Sequence, residues 1–462
     1  MGNRFLDGNF APVSREHTIT ELRVTGHIPD HLDGRYLRNG PNPLSEVDPA
    51  TYHWFMGDGM VHGVRLRDGR AEWYRNRWVR AGTSLGPNTN VIGHAGRTLA
   101  LIEGGVPNFE LTDELDTVGA CDFDGTLPGG YTAHPKRDPE TGELHAVSYF
   151  FGWGNKVQYS VIDAAGRARR AVDIEVTGSP MMHDFSLTEK HVVFYDLPVT
   201  FHTGEAVAAS VPPLLRTPAK LVMSALVGKV KVPDPVSAML RERISGNAGL
   251  PYRWNPDYPA RIGVMPREGG NGDVRWFEVE PCYVFHPMNA YDDGDSIVLD
   301  VVRHPKMFDS ELRGPAEGPP SLDRWTVDLT AGKVLEERLD DQGQEFPRVD
   351  ERLVGRPNRF GYSVSTRDGS KSSGALLKHD LWNRSVRRRE FGEGSQVGEF
   401  VFVPSTVDAG EDEGVLLGFV YDATTQTSDL TILDAGTLET VGAVHLPDRV
   451  PNGFHGNWDP AN

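Results

Sequence analysis

The sequence predicts an all-β fold, a ring of small antiparallel sheets, and three observations carry that expectation. Apolar–polar alternation recurs in short runs, tight-turn signals separate the runs, and most of the chain lacks helical periodicity. The first hairpin is "MVHGVRLRDGRAEWYRNRWV" at 60–79, where Asp68-Gly69 breaks the alternation with a pair suited to a two-residue turn. The plan repeats in "LHAVSYFFGWGNKVQYSVIDAAGRARRAVDI" at 144–174 and "SLDRWTVDLTAGKVLEERL" at 321–339. It returns in "GVLLGFVYDATTQTSDLTILDAGTLETVGAVHL" at 414–446. Such units recurring at roughly 40 to 60 residues suit propeller blades. A double sandwich satisfies the same pattern, and the repeats are too degenerate for blades to be counted.

The 51 glycines and 33 prolines fit a turn-rich β chain. A length of 462 residues taken alone suggests two or three domains, but a propeller forms one large unit. A propeller over 1–462 would be a single domain. One segment breaks the plan: "GEAVAASVPPLLRTPAKLVMSALVGKVKVPDPVSAMLRERISG", 204–246, has small and aliphatic residues at helical spacing with prolines between. Its bases (Arg216, Lys220, Lys229, Lys231, Arg241, Arg243) outnumber its acids (Glu205, Asp234, Glu242), against the trend of the chain. Two roles fit it: a helical pair packed on the blades, or an apolar, basic insertion that covers a pocket mouth or lies on a membrane surface.

A net charge of −18 excludes nucleic acid as the main partner, because phosphate binding needs a basic surface. Cys121 and Cys282 are too few for a disulfide framework and suit a reducing compartment. The start, "MGNRFLDGNFAPV", has no signal-peptide core, and no apolar run approaches the roughly 18 residues of a membrane span. The protein is therefore expected to be soluble and cytoplasmic, at most peripheral to a membrane through 204–246. No obligate protein partner is implied. A G-x-G-x-x-G fingerprint after a strand and a Walker loop are both missing, which leaves no dinucleotide or nucleotide site.

Four of the sixteen histidines sit in similar places, beside strand-like runs. They are His134 in "YTAHPKRDPETGELH", His183 in "SPMMHDFSLTEKHVVFYDLPV", His286 in "CYVFHPMNAYDDGDSIVLD" and His455 in "NGFHGNWDP". Their separations of 49, 103 and 169 residues match no local ligand motif. A propeller makes such spacing sensible, since the inner strands of different blades all approach one axis. On spacing alone, a hydrogen-bonded structural histidine is the ordinary alternative for each. Asp292, Asp293 and Asp295, after His286, are expected to be turn residues, with His286 between an apolar run and a proline-led loop.

The segments "RYLRNGPNP" (35–43), "GDGMVHGV" (57–64), "ALIEGG" (100–105), the four histidine stretches, "QEFPRVD" (344–350) and "NGFHGNW" (452–458) together resemble the carotenoid cleavage oxygenases. That family also holds lignostilbene dioxygenases and the retinoid isomerohydrolase. The resemblance covers nearly the whole chain and implies a seven-bladed β-propeller with a helical and loop cap over one face, 204–246 forming part of the cap. It implies one Fe(II) per chain held by His134, His183, His286 and His455, with Glu103, Glu345 and Glu399 behind three of them and His134 lacking a glutamate. Thr89, in "PNTNVIGH", falls where some members face a vacant iron position. Four neutral imidazoles suit iron and leave two octahedral positions open. Each glutamate would take the N–H of the ring nitrogen turned away from the metal.

The implied reaction is dioxygenase cleavage of a C=C bond by O2 into two carbonyl fragments, with no organic cofactor. A carotenoid or apocarotenoid is the first expected substrate; the alternative is a lignostilbene or phenylpropenoid of the stilbene or isoeugenol type. That second branch holds a phenolic oxygen with a lysine just before the first glutamate, and here the position is Ile102. Phe109, Tyr131, Phe150, Trp153 and Phe454 are candidate tunnel-lining aromatics, although the core is the ordinary place for each.

Overall fold

In the computed structural model, the described residues are 2–82, 85–127, 130–245, 249–315, 317–366 and 373–461. Their strands form seven antiparallel sheets of four to six strands, plus one two-stranded ribbon. Taken in chain order the sheets are blades. The second runs from Asn90–His94 to Thr117–Cys121, the third from Lys136–Arg137 to Ala168–Glu175 and the fourth from Phe185–Leu187 to Arg275–Glu278. The fifth runs from Tyr283–Asp293 to Lys333–Asp340 and the sixth from Gln344–Arg348 to Ser385–Glu390.

The ring closes twice. Gly456–Pro460, at the C-terminal end, pairs with Gly34–Pro41 on the inner edge of the first blade. Arg23–Gly26, near the N-terminus, pairs with Thr440–His445 on the outer edge of the seventh. Both ends of the chain thus cover edges that would otherwise offer unpaired backbone groups. First strands of neighbouring blades pack on one another: Tyr283–Asp293 lies against both Phe185–Leu187 and Gln344–Arg348, and Gly456–Pro460 lies against Asn90–His94. These inner strands surround the axis.

The hairpins follow the alternation read from the sequence. Gly59–Arg67 and Arg70–Trp78 turn through Asp68 (φ 49°) and Gly69 (φ 68°), the left-handed pair a type I′ turn requires. Between sheets, buried rings carry polar tips that find partners. His62 Nδ1 meets Tyr74 Oη at 2.9 Å, and His145 Nδ1 meets Tyr159 Oη at 2.7 Å.

The 204–246 segment departs from the fourth blade between His191–Asp196 and Arg261–Pro266. A ribbon of Val199–Phe201 and Tyr252–Trp254 carries it outward as three helices: α1 (Thr203–Ser210), α2 (Arg216–Leu226) and α3 (Asp234–Ser245). The side chain of His202 caps α1 by accepting from the Glu205 N–H. Prolines 212, 213, 233 and 235 punctuate the segment; Gly246, its last residue, lies outside the described residues. Ala206, Val207 and Met223 are buried with the main core, whereas Leu214 is 95% exposed and Leu221 70%. The segment thus packs three helices, not a pair, with one side on the core and leaves leucines of the other side exposed.

Candidate metal centre

Every blade sends one side chain of the expected set toward the axis. His455 directly precedes the inner strand of the first blade, while Glu103 follows the second strand, Arg97–Leu101, of the second. His134 and His183 stand two residues before the inner strands of the third and fourth blades. His286 and Glu345 lie within the inner strands of the fifth and sixth, and Glu399 lies between Gln396–Val397 and Val401–Pro404 of the seventh.

His286 differs from its expected place. It sits inside the strand Tyr283–Asp293, where the pairing register shifts between Val284 and Pro287 and again between Pro287 and Asn289. Pro287 has no N–H to donate to the ladder, so the strand bulges there and re-aims the neighbouring histidine. Asp292 turns the other way and accepts from the His191 ring at 2.7 Å. Asp293 pairs with Ser296 at the hairpin end, as a turn residue.

The donor atoms of His134, His183, His286 and His455 all lie within 4.8 Å of one another, and all four residues are buried. Three rings are held from behind. His183 Nδ1 is 2.8 Å from Glu103 Oε1, His286 Nδ1 is 2.6 Å from Glu345 Oε2, and His455 Nδ1 is 3.0 Å from Glu399 Oε1. A carboxylate only accepts, so each Nδ1 carries the proton, and in the neutral ring Nε2 is left as a lone pair. The Nε2 atoms of His183 and His286 then face each other at 3.2 Å. Two lone pairs at that distance repel, and a positive charge belongs between them. His134 Nε2 is buried with no hydrogen-bond partner. Its Nδ1 is 3.8 Å from Asp184 Oδ2, beyond hydrogen-bond reach, because that carboxylate is taken by Lys136 Nζ at 2.9 Å. The donor set fits a borderline transition-metal ion with imidazole ligands.

The model of the retinal pigment epithelial membrane protein family matches residues 10–460. A carotenoid cleavage oxygenase of Mycobacterium tuberculosis is 57% identical, the alignment covering 99% of this chain and 98% of that protein. The chain belongs to the carotenoid cleavage oxygenase family.

Among solved structures, the lignostilbene dioxygenase of Pseudomonas brassicacearum superposes with a TM-score of 0.82 at 24% identity, covering 99% of this chain and 98% of its own. A cobalt-substituted oxygenase of Synechocystis gives 0.80 at 25%, covering 97% of each chain. The seven-bladed ring is thus shared by this oxygenase family member and solved propellers.

Electrostatics around the four rings follow from burial set against the carboxylates. Burial would raise the Glu399 carboxyl, but the Arg348 charge, His455 and the Gly456 N–H outweigh it and hold it down to about 2. Glu345 is held far below the usual carboxylate range, because His286 and His304 outweigh its burial. Burial lowers His134 well below the ordinary histidine range, and the adjacent imidazoles push the same way. Burial also lowers His286 despite Glu345, whereas for His183 the Glu103 charge outweighs burial and raises it.

Two supporting residues were not singled out from the sequence. His304 Nε2 donates to Glu345 Oε1 at 2.7 Å, so that one carboxylate fixes two imidazoles. Arg348 reaches Glu399 Oε2 at 3.4 Å and Asn457 at 2.9 Å, tying the sixth blade to the seventh and to the C-terminal strand of the first. His304 ends the plain strand Ser296–His304 and carries no motif; only its register opposite Tyr283 brings it to Glu345.

On the cap side, a cavity of about 710 Å³ reaches His183, His286 and His455. Its walls include Phe55, Phe151, Phe201, Tyr252, Phe285 and Phe454. Of the aromatics expected to line a tunnel, Phe454 does so; Phe109, Tyr131 and Phe150 fill cores between strands, and Trp153 packs against one. Thr89 is buried and lines this cavity, its hydroxyl bonded to Asn88 and its carbonyl accepting from the His455 N–H at 3.1 Å. Ile102, beside Glu103, forms part of the same wall. A second cavity of about 670 Å³ reaches His134, His286 and His455 and is lined by Arg35, Arg137, Asp184 and Asp459, so the rings stand between an apolar space and a polar one. Cys121 and Cys282 are both buried and unpaired.

Proposed function

We propose that this oxygenase is an Fe(II) dioxygenase that cleaves a C=C bond of a carotenoid or apocarotenoid with O2, giving two carbonyl products. The observation that carries the proposal is the convergence of four imidazoles, three of them backed by glutamates, against the end of an apolar cavity of about 710 Å³. His134, His183, His286 and His455 would hold one iron, and Glu103, Glu345 and Glu399 would fix the tautomers and balance its charge. When bound, iron supplies the chemistry that lets dioxygen react with a closed-shell alkene. The chain's own part is to hold the polyene along aromatic walls, exclude water and keep the Nδ1 protons of His183, His286 and His455 on their glutamates. Thr89 would border an open position at the iron.

Ile102 favours the polyene over a phenolic substrate, since an alkyl group in the cavity wall cannot bond a phenolate. A carotenoid dissolves in membranes, and the cap suits contact with one. Leu214, Leu215, Leu221 and Val222 are exposed there beside Arg216 and Lys220. Among the described residues no helix is long and apolar enough to cross a bilayer, so the contact proposed is peripheral, on a cytoplasmic protein that forms one catalytic unit.

The test is anaerobic reconstitution with Fe(II), then O2 with an apocarotenal and a hydroxystilbene in parallel, products read by mass spectrometry. Aldehydes from the apocarotenal alone are expected. Cleavage of the stilbene alone would refute the polyene assignment and place the protein in the phenolic branch.

A further inference from the structure

Six charged side chains line the apolar cavity: Arg4, Arg38, Glu103, Arg241, Glu345 and Glu399. The three glutamates are engaged with the histidines. Arg38 is buried against Pro451 O at 3.0 Å and faces Glu399. Arg4 lies over the ring of its neighbour Phe5, on the N-terminal segment that packs against Gly314. Arg241 comes from α3, and its Nη1 donates to the carbonyl of Gly105, in the loop that carries Glu103. Neither Arg4 nor Arg241 has a carboxylate at ion-pair distance among the described residues.

An arginine half-buried in an apolar wall with no carboxylate at ion-pair distance is costly, because its charge is partly desolvated. Burial lowers the Arg241 pKa, and the neighbouring Glu242 charge offsets it only in part. A long stem with its head turned into water would avoid that cost, but the contact with Gly105 O ties this head to the loop at the metal centre. There the guanidinium fork points donors at whatever fills the cavity, and an oxygen acceptor, above all a planar carboxylate, matches it. Arg4 comes from the N-terminal segment whose Phe5 packs on Gly314, whereas Arg241 comes from the cap.

We propose that the cavity takes an apolar chain ending in an oxygen acceptor, preferentially a carboxylate, and that Arg241 receives that end. Arg241 is a specificity residue and does not touch the reacting atoms. The proposal rests on the oxygenase reading of the site and narrows its substrate to a chain oxidised at one terminus. Such a substrate would come from a reaction that has already cut or oxidised a longer polyene.

The test uses the full-length, iron-loaded protein kept anaerobic, so that binding is read without turnover. Trp54 lines the cavity, and quenching of tryptophan fluorescence reports its filling. The probes are an apocarotenoid acid, its aldehyde and a methyl-ended hydrocarbon of equal length. The acid is expected to bind roughly 10- to 100-fold more tightly than the hydrocarbon, the range of a hydrogen bond to a charged group. Arg241→Met should remove that preference, and Arg241→Lys, which keeps charge and length, should restore part of it. Equal affinity of the wild type for acid and hydrocarbon would overturn the proposal. So would a preference that survives Arg241→Met and disappears in Arg4→Met. Admitting O2 then separates the two levels. If no chain is cut while the acid preference holds, the oxygenase reading fails and the acid site stands; if the hydrocarbon is cut and the acid binds no better, the reverse holds.

Discussion

Replacing Glu345 by Gln tests whether the carboxylates organise the centre. Glu345 accepts from His286 Nδ1 at 2.6 Å, His304 Nε2 at 2.7 Å and the Phe346 N–H at 2.6 Å. Glutamine keeps the shape but replaces one acceptor oxygen with an NH2 donor and removes the charge. Hydrogen bonds to a charged group contribute about 1.5–3 kcal/mol each and neutral ones about 0.5–1.5 kcal/mol, so roughly 1 kcal/mol is lost per bond. Across the two histidine bonds that is roughly 2–3 kcal/mol, about 30- to 150-fold in an equilibrium constant. The part that reaches the metal acts through His286 alone, and the expected loss of affinity is roughly 10- to 100-fold. The assay is titration with Co(II) against a competing chelator, followed by the visible absorption of the bound ion. Thermal denaturation of the same sample confirms that the variant folds. A folded Glu345→Gln protein that binds Co(II) within twofold of wild type would show that Glu345 merely fills space, and the account of tautomer control would fail.

Three further expectations follow from the same geometry. His286→Ala should leave the purified protein almost free of metal by elemental analysis, whereas Asp293→Ala, at a hairpin end, should leave its metal content near wild type; equal contents would remove His286 from the ligand set. Burial holds His53 and His62 at about 3 and His145 and His379 at about 4. The unfolded chain therefore takes up protons near pH 6.5 that the folded protein refuses, so stability is full above that pH and falls on acidification toward pH 4. Each group contributes up to about 1.4 kcal/mol per pH unit, and the effect begins near pH 6.5, above the ordinary carboxylate range. Urea midpoints at about pH 7 and about pH 5 should differ by several kcal/mol in the derived stability, and His145→Gln should reduce the slope; identical midpoints would contradict it. Finally, serine at Leu214, Leu215 and Leu221 should weaken sedimentation with anionic vesicles roughly tenfold or more, since each leucine buries about 1.5–3 kcal/mol of apolar surface. Unaltered sedimentation would exclude the cap as the contact.

Much of this protein is legible in one dimension because its blades are local. The hairpins at 60–79, 144–174, 321–339 and 414–446 all form where alternation and turn residues put them. Strand pairing within a blade needs only neighbours in sequence, so periodicity suffices. The number of blades was legible only through the family resemblance, since the blades' sequences have diverged too far to be counted as repeats. Glu103 and Glu399 were placed by family motif, and no spacing pattern reveals them: Glu103 reaches over the third blade to His183, a separation of 80 residues.

What the sequence by itself determined was the β class, the turn positions, the apolar, basic insertion and, through its motifs, the family. Tertiary structure alone decided which atoms face one another. The bulge at Pro287 aims His286 at the axis, register brings His304 to Glu345, and Lys136 draws Asp184 away from His134, leaving that ring without a carboxylate. It also decided that Phe109 and Tyr131 fill cores while Phe55 and Phe285 line the cavity, and that Arg241 meets the Glu103 loop. The reason is physical: backbone hydrogen bonding is repeated along each strand and leaves a periodic trace, whereas a site at the axis is assembled from single side chains of seven separate sheets, whose convergence only ring closure fixes.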